Sequence, residues 1–313
     1  MNNQFIMNKT TEDLIDELKA VTTVISSEPL SKHTTFKTGG FAEVFVVPSD
    51  EEEVRTIILL CNDYKVPLAK IGGGSNLLIS DKGISGVVMK VSSDNGVSAI
   101  TLEDDGCLKV PACLSKENFI EYSIEHGLSG LQFTAGVPGA VGGGIYMNAG
   151  TFMGSFADIM THINYIDKFG QSKTIEVTED FSSYRKTSLE SEAVITSGIF
   201  SLYAGHDPEK LKLEFDEINK DRESKHPLDY PSAGSVFKNP EGYSSWKLID
   251  DAGLKGFEIG GAAVSDKHTN FIINKNNASS RNILDLITHI QETVEKKFGV
   301  TLETEIRRMG EFD

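Results

Sequence analysis

Hydrophobic and polar positions alternate along the chain between short strand-like runs and amphipathic helical runs, which predicts a mixed α+β protein. The clearest helix covers residues 279–298, where apolar side chains recur every three or four positions and share one face. Gly299 follows, where a left-handed residue commonly ends a helix. The apolar face consists of Ile283, Leu286, Ile287, Ile290 and Val294.

The first third of the chain has a βαββ-like pattern, which we assign to a first domain of residues 1–92. A short amphipathic helix is predicted at residues 10–21. Ser49 with Glu52 forms a capping-box pattern that predicts a second helix, ending near Tyr64. Predicted strands lie at residues 42–47, 68–71, 77–79 and 86–91.

Residues 93–204 form a second predicted domain, also α+β. Its helix runs from Ser115 to His126, with Gly127 just beyond the C-terminus. Its strands are predicted near residues 100 and 110 and at 161–167, 174–177 and 193–203.

Residues 205–313 form the third predicted domain, which begins with a charged helix. Besides the helix at 279–298, its predicted elements are a helix at 207–225, a loop at 231–240, a helix at 245–252, a strand at 269–274 and a closing strand at 301–308.

Composition narrows the function classes. The formal net charge of -16 disfavours nucleic acid and anionic membranes as partners, so a phosphorylated ligand needs local amides and a few placed cations. Three cysteines without a CxxC pair argue against a disulfide framework. No signal-peptide core or membrane-length apolar run is present, which predicts a cytoplasmic protein. The seven histidines lack HxxxH or HExxH spacing, so no metal site is predicted.

The segment Gly72-Gly73-Gly74-Ser75-Asn76 is the first candidate site. Consecutive glycines let successive backbone amides point into one concavity, which suits a pyrophosphate. No GxxxxGK[ST] is present, and the following residues read as a strand rather than the helix that a dinucleotide fold needs. The alternative is a tight connection between two strands.

A second glycine-rich segment spans Ala135–Gly150 and contains six glycines in sixteen residues. So much backbone freedom destabilises an ordinary core segment, but it permits close approach to a flat or phosphorylated ligand. The alternative is a packed turn without a ligand.

Three further segments carry polar chemistry but are weak alone. Arg185, beside Tyr184, could form a forked contact to a carboxylate, or lie solvated at the surface. Ser235 is not in GxSxG and has no marked His/Asp partner, so a loop serine is the simple interpretation. Glu303, Glu305 and Arg307 would share one face of a strand, typically as a surface ion pair.

The order of these segments is more specific than any one of them. The segments GGGSNLLISD, AGVPGAVGGGIYMNAG, YR, AGSVFKNP, IGGAAVSDKHTNFIIN and ETEIR resemble, in this order, the UDP-N-acetylenolpyruvoylglucosamine reductase family. The resemblance runs from about Leu30 to Gly310.

The resemblance implies a two-part FAD-binding region of the vanillyl-alcohol-oxidase-like type, followed by a C-terminal α+β substrate domain. It implies NADPH-dependent, FAD-mediated reduction of the enolpyruvyl group of UDP-N-acetylglucosamine enolpyruvate, giving UDP-N-acetylmuramate for peptidoglycan. FAD would be non-covalent. The residues implied to bind it are Gly72, Gly73, Gly74, Ser75, Asn76, Leu77, Gly136, Val137, Pro138, Gly142, Gly143, Asn148 and Gly150.

The same resemblance implies the catalytic residues. Arg185 and Glu305 would flank the substrate carboxylate and stabilise an enolic intermediate, while Ser235 would protonate the adjacent carbon. The residues implied to contact the UDP-sugar are Tyr184, Lys225, Lys238 and Asn239.

Two features depart from the family pattern. Residues 109–115 lack the expected glycine-rich turn, and the passage from residue 207 to Ser235 has no long insertion, so the tyrosine-bearing lid of one subclass is predicted to be missing. One rival is another FAD-dependent oxidoreductase of the same superfamily, which should lack AGSVFKNP and ETEIR. The other is an inactive UDP-sugar binding protein, which should have lost Arg185, Ser235 or Glu305.

Overall fold

The computed structural model describes residues 9–91 and 99–312. Its first sheet has the order β1-β2-β5-β3, in which β1 pairs antiparallel with β2 and β5 lies parallel to both β2 and β3. The elements of this part are α1 (Lys9–Lys19), β1 (Thr23–Pro29), β2 (Phe41–Val47), α2 (Glu51–Asp63), β3 (Leu68–Lys70), β4 (Leu77–Ile79) and β5 (Ile84–Met89).

The helix α2 is capped differently from the prediction. Asp50, not Ser49, is the N-cap, and its carboxylate accepts from the backbone N–H of Glu53 at 2.9 Å. Ser49 instead donates its backbone N–H and its hydroxyl to the Glu53 carboxylate. Both polar residues therefore serve the same helix end, and the reciprocal partner is Glu53 rather than Glu52.

The second sheet is antiparallel, with the order β11-β10-β14-β7-β6. The predicted helix α3 is confirmed: Ser115 caps its start, and Gly127, with φ of +63°, follows its end. The elements are β6 (Thr101–Leu102), β7 (Leu108–Pro111), α3 (Lys116–Glu125), α4 (Val141–Tyr146), β8 (Gly150–Thr151), β9 (Gly154–Ser155), β10 (Met160–Ile166), β11 (Ser172–Glu176), β12 (Ser182–Ser183), β13 (Lys186–Thr187) and β14 (Val194–Phe200).

The C-terminal part builds an antiparallel sheet, β15-β18-β17-β16, against its last long helix. All five apolar residues predicted on that helix are buried, which confirms its core face. The elements are α5 (Pro208–Lys225), β15 (Ser232–Ser235), α6 (Ser245–Asp251), β16 (Glu258–Ile259), β17 (Ala262–Val264), β18 (Phe271–Asn274), α7 (Ser280–Phe298) and β19 (Arg307–Met309).

Two segments near the site differ from the prediction. The predicted loop at 231–240 begins with strand β15, whose Ser235 pairs with Phe271 of β18. The predicted closing strand at 301–308 is mostly irregular: it has one isolated bridge, between Thr304 and Phe237, and regular pairing only in β19. β19 lies parallel to β4, so the C-terminus returns to the first part of the chain.

Asp81 makes a second contact between the first part of the chain and the C-terminal part. Its carboxylate accepts from the backbone N–H groups of Ser280 and Arg281 at the start of α7, each at 2.9 Å. An acidic side chain at a helix N-terminus satisfies amides that have no partner within the helix. The division into domains at residues 92 and 204 stays a prediction. Within the described ranges, no helix is long and apolar enough to cross a membrane.

Candidate active site

A cavity of about 1550 Å³ lies where the two glycine-rich segments meet the C-terminal part of the chain. Single small-molecule sites typically occupy about 300–1,000 Å³, so this one has room for a cofactor together with a substrate. Every residue predicted to bind FAD lines it, and so do the predicted catalytic residues Arg185, Ser235 and Glu305.

The two glycine-rich segments touch each other at the cavity wall. A Cβ on Gly73 would lie 2.5 Å from Gly139 Cα, and a Cβ on Gly139, whose φ is +116°, would lie 2.5 Å from Ser75 Oγ. Ser75 donates its hydroxyl to Pro138 O at 2.9 Å. Larger residues would therefore force the segments apart, which explains why the sequence has glycine at both positions.

Part of the second glycine-rich segment forms the helix α4, which the sequence analysis did not predict. Its glycines have different environments. A Cβ on Gly142 would lie 2.8 Å from that of Ala112, and one on Gly144 would lie 2.6 Å from the ring of Phe156, whereas one on Gly143 would meet nothing within 4 Å. Gly142 and Gly144 thus allow tight packing, but packing does not explain Gly143, which lines the cavity.

Arg185 sits in the two-residue turn between β12 and β13. Its φ of +59° lies in the left-handed region, which residues with a side chain rarely adopt. The guanidinium lies over the Tyr184 ring, with Cζ 4.9 Å from the ring centroid. This strained turn brings the guanidinium to the cavity wall.

Asn148 connects this turn to the second glycine-rich segment. It is buried, also has a positive φ of 39°, and donates its side-chain amide to Ser183 O at 3.2 Å. Its Oδ1 accepts from the backbone N–H of Ala157 at 3.0 Å. Asn148 therefore holds the hairpin in place, which explains a polar residue among small ones in the sequence.

Arg185 and Glu305 form an ion pair on the cavity wall. Arg185 Nε donates to Glu305 Oε1 at 2.7 Å, and Nη2 donates to Gly150 O at 2.7 Å. Both side chains are less than one-fifth exposed. Burial raises the pKa of the Glu305 carboxyl, although the Arg185 charge and hydrogen bond, together with Lys238, act against the rise. Arg185 is therefore not solvated at the surface, and Glu305 is not part of a surface ion pair, which were the alternatives that the sequence left open.

Ser235 is placed beside this pair by the backbone. It lies at the end of β15, is partly buried and lines the cavity. The next residue, Val236, accepts at its carbonyl from the backbone N–H of Glu305 at 2.7 Å. The segment that carries Glu305 also contacts the first glycine-rich segment. Asn76 donates its side-chain amide to Glu305 O at 3.2 Å, and Arg307 donates its backbone N–H to Asn76 O at 2.9 Å.

The predicted substrate residues divide into two groups. Tyr184 and Asn239 line the cavity, whereas Lys225 and Lys238 do not. Lys225 is mostly exposed and pairs with Asp221 at 2.6 Å. Lys238 Nζ pairs with Glu303 at 2.5 Å.

A cluster of basic residues at the cavity was missed by the sequence analysis. Arg222 and His226 line the cavity, and His226 stacks on Phe271 with ring centroids 4.9 Å apart. Burial, then the charges of Arg222 and His268, lower the pKa of His226 to about 4. Arg222 Nε is buried without a hydrogen-bond partner in the described chain. On sequence alone, Arg222 lies in a charged helix and resembles its solvated neighbours.

The site has features that suit a bound flavin nucleotide. Within residues 9–91 and 99–312, no group of three His, Cys, Asp or Glu side chains could hold a metal ion. The unpartnered Arg222 Nε and the glycine contacts suit an extended ligand that carries phosphates and a flat ring system. Residues 42–176 match an FAD-binding domain, so the class of protein is an FAD-dependent oxidoreductase.

Residues 226–309 match the C-terminal domain of UDP-N-acetylenolpyruvoylglucosamine reductase. The reductase of that name from Lachnoclostridium phytofermentans is 41% identical, covering 95% of this chain and 97% of its own. The one from Caldanaerobacter subterraneus is 40% identical, covering 96% of this chain and 99% of its own. The crystal structure of UDP-N-acetylenolpyruvylglucosamine reductase from Thermus caldophilus superposes with a TM-score of 0.78 at 28% identity, covering 92% of this chain and 99% of its own. The chain belongs to the UDP-N-acetylenolpyruvoylglucosamine reductase family, which confirms the resemblance, the FAD-binding region and the C-terminal domain.

Proposed function

We propose that this protein reduces the enolpyruvyl ether of UDP-N-acetylglucosamine enolpyruvate to the lactyl ether of UDP-N-acetylmuramate, with NADPH as the hydride donor. The observation that carries this proposal is the largely buried pair of Arg185 and Glu305, which lines the same cavity as Ser235 and both glycine-rich segments. Relatives about 40% identical are named for reduction of this enolpyruvoyl sugar.

FAD fits along the glycine-rich part of the cavity. Residues Gly72–Leu77 would hold its pyrophosphate, to which their backbone amides could donate hydrogen bonds. Residues 136–150 would hold the flavin, with open space at Gly143 of α4, where an added Cβ would meet nothing within 4 Å. When bound, FAD supplies hydride transfer from NADPH to the substrate.

Arg185 binds the substrate carboxylate. Two of its three guanidinium nitrogens are committed, Nε to Glu305 and Nη2 to Gly150 O, and Nη1 makes no hydrogen bond to a described residue. Because these contacts already fix the guanidinium, a substrate carboxylate that binds at Nη1 costs little further side-chain entropy. This favours a charge-assisted hydrogen bond there.

Glu305 stabilises the enolic oxygen that develops during reduction. Burial raises the pKa of Glu305, and the like charge of an approaching substrate carboxylate would raise it further, whereas Arg185 and Lys238 act against the rise. A protonated carboxyl beside Arg185 can donate a hydrogen bond to that oxygen. Such a preorganised donor acts most strongly where water is excluded.

Ser235 holds the proton that completes the reduction. A hydroxyl is a weak acid, but the carbon next to the substrate carboxylate becomes a strong base once hydride has been added to the methylene. Lys238 pairs with Glu303, so it would offset charge on Ser235 only by exchanging that partner.

From the reacting end of the substrate at Ser235, the uridine diphosphate would extend past Tyr184 and Asn239, which line the cavity. Lys225 would join it by leaving Asp221. The product serves peptidoglycan synthesis, and we place the reaction in the cytoplasm.

The test is product identification. The purified protein, supplied with NADPH and the enolpyruvyl UDP-sugar, should consume equal amounts of the two. The product should be heavier than the sugar substrate by two hydrogen atoms. Consumption of NADPH that depends on oxygen and leaves the sugar unchanged would instead indicate another FAD-dependent oxidoreductase.

A further inference from the structure

Lys116 is a buried cation for which neither the fold nor the reaction above gives a role. It is the first residue of α3 and is only 4% exposed. This position is unfavourable for a lysine for two reasons. The start of a helix carries a partial positive charge, and the burial of a charged group without a partner costs free energy. A lysine kept in such a place calls for an anionic ligand.

No described residue satisfies the ammonium group. Nζ of Lys116 has no hydrogen bond and no ion pair in the described chain. Lys70 is a useful contrast, because it also lines the cavity but donates to Ser191 O and Ala193 O.

The charges around Lys116 are mostly of its own sign. Glu117 lies on the same helix, whereas Arg222 approaches from α5 and Arg185 from the turn between β12 and β13. Burial is the main cause that lowers the pKa of Lys116 to about 8, and the two arginines add to the effect. The cavity thus has a local positive field in a chain of net charge -16.

Geometry directs the side chain to the junction of the glycine-rich segments. The backbone N–H of Lys116 donates to Gly139 O at 2.9 Å, and a Cβ on Gly139 would lie 3.8 Å from Lys116 Cε. The same hypothetical Cβ would lie 2.5 Å from Ser75 Oγ. The end of the lysine therefore lies beside the first glycine-rich segment, which lines the cavity.

We propose that Lys116 binds the pyrophosphate of FAD through a charge-assisted hydrogen bond from its ammonium group. The inference rests on the placement of that pyrophosphate at Gly72–Leu77 proposed above. The anion supplies the partner that the protein lacks, and the lysine supplies charge that backbone amides cannot.

The test is a titration of flavin-free protein with FAD, followed by flavin fluorescence. Lys116→Met keeps the length and apolar stem of the side chain but removes the charge. It should weaken FAD binding by roughly 10–100-fold, the range for losing a hydrogen bond to a charged group. Lys212→Met, which removes an exposed lysine of α5, should leave the affinity unchanged.

Two further readouts separate binding from folding. Flavin-free Lys116→Met should melt no lower than the flavin-free wild type, because an unpaired buried charge has been removed. In the wild type above about pH 8, binding should take up a proton, since the anion raises the pKa of Lys116 from about 8. FAD affinity should therefore fall as the pH rises above about 8, and this fall should be absent in Lys116→Met.

FAD affinity of Lys116→Met within twofold of the wild type would overturn the role of Lys116. If that variant does not fold, a wild-type FAD affinity that stays flat between about pH 7 and pH 9 would overturn it equally. A wild-type protein that binds no FAD would instead refute the placement of the cofactor, so the two failures are distinguishable.

Discussion

Arg185 combines backbone strain with a fixed side chain. A non-glycine residue at φ of +59° costs on the order of 1–3 kcal/mol, and the strain persists because the surroundings hold it. Here Glu305 and Gly150 O hold the guanidinium, while Asn148 holds the hairpin. Strain at a cavity wall, opposite a carboxylate from another part of the chain, is typical of a preorganised binding group.

Ser235 gives the most specific prediction for a single residue. Ser235→Ala should leave NADPH-dependent flavin reduction nearly intact, because that half-reaction needs no proton at the sugar carbon. Re-oxidation by the enolpyruvyl substrate should slow by roughly 10²–10⁴-fold, the range for a positioned general acid. Anaerobic stopped-flow measurements separate the two steps.

Ser235→Cys serves as the matched variant, since a thiol can also donate a proton and should recover part of the rate. If Ser235→Ala slowed both half-reactions equally, the loop would have collapsed. If it slowed neither, Ser235 would only pack β15 against β18.

Lys225 tests how far exposed cations contribute to substrate binding. Lys225→Ala should raise the dissociation constant of the UDP-sugar more than it slows flavin reduction, because the lysine would turn from Asp221 to the diphosphate. Lys220→Ala removes another exposed lysine of the same helix and should change neither quantity. An unchanged substrate affinity in Lys225→Ala would exclude Lys225 from the site.

At the scale of elements, the sequence predicted those whose signals are local. The helix α7 has a clear apolar period and Gly299 at its end, and α3 has Ser115 and Gly127 at its two ends. Residues 301–306 lacked such signals: their placement depends on single contacts with residues distant in sequence, such as Thr304 with Phe237. Charged residues that become buried by tertiary packing, as Lys116 and Arg222 do, look like solvated residues in the sequence.

The glycine-rich helix α4 distinguishes ligand binding from packing. Gly143→Ala should stabilise the flavin-free protein by roughly 0.5–1 kcal/mol, because alanine favours the helix and its Cβ meets nothing within 4 Å. If the flavin lies along α4, the same Cβ enters its space and FAD affinity should fall. Thermal melts of flavin-free protein and FAD titrations measure the two effects.

Loss of stability in flavin-free Gly143→Ala would show that packing alone requires this glycine. Unchanged FAD affinity in Gly143→Ala would contradict the placement of the flavin along α4.

At the scale of the whole molecule, the chain closes on itself around the cavity. β19 pairs with β4, and Asp81 caps α7, so the residues that carry Glu305 are tied to the strand that follows the first glycine loop. The family resemblance brought together residues that are far apart in sequence, because its motifs occur in a fixed order, and the predicted FAD-binding and catalytic residues line one cavity. The cations around it could not be predicted in the same way.

The connection from α5 to β15 comprises residues 226–231 only. We therefore expect the substrate to be enclosed without a tyrosine lid from the C-terminal part. The exposed tyrosines nearby are Tyr230 and Tyr243. A structure with the UDP-sugar bound that shows either ring stacked on uracil or clamped on the diphosphate would contradict this expectation.

The central claim is that a flavin in this cavity passes hydride from NADPH to the enolpyruvyl sugar. The most direct measurement is the absorption spectrum of the purified protein under nitrogen. It should show bound flavin that acid precipitation releases as FAD, that NADPH bleaches, and that the enolpyruvyl UDP-sugar restores whereas UDP-N-acetylglucosamine does not. A colourless protein that takes up no added FAD, or a bleached flavin that the enolpyruvyl sugar leaves reduced, would contradict the claim.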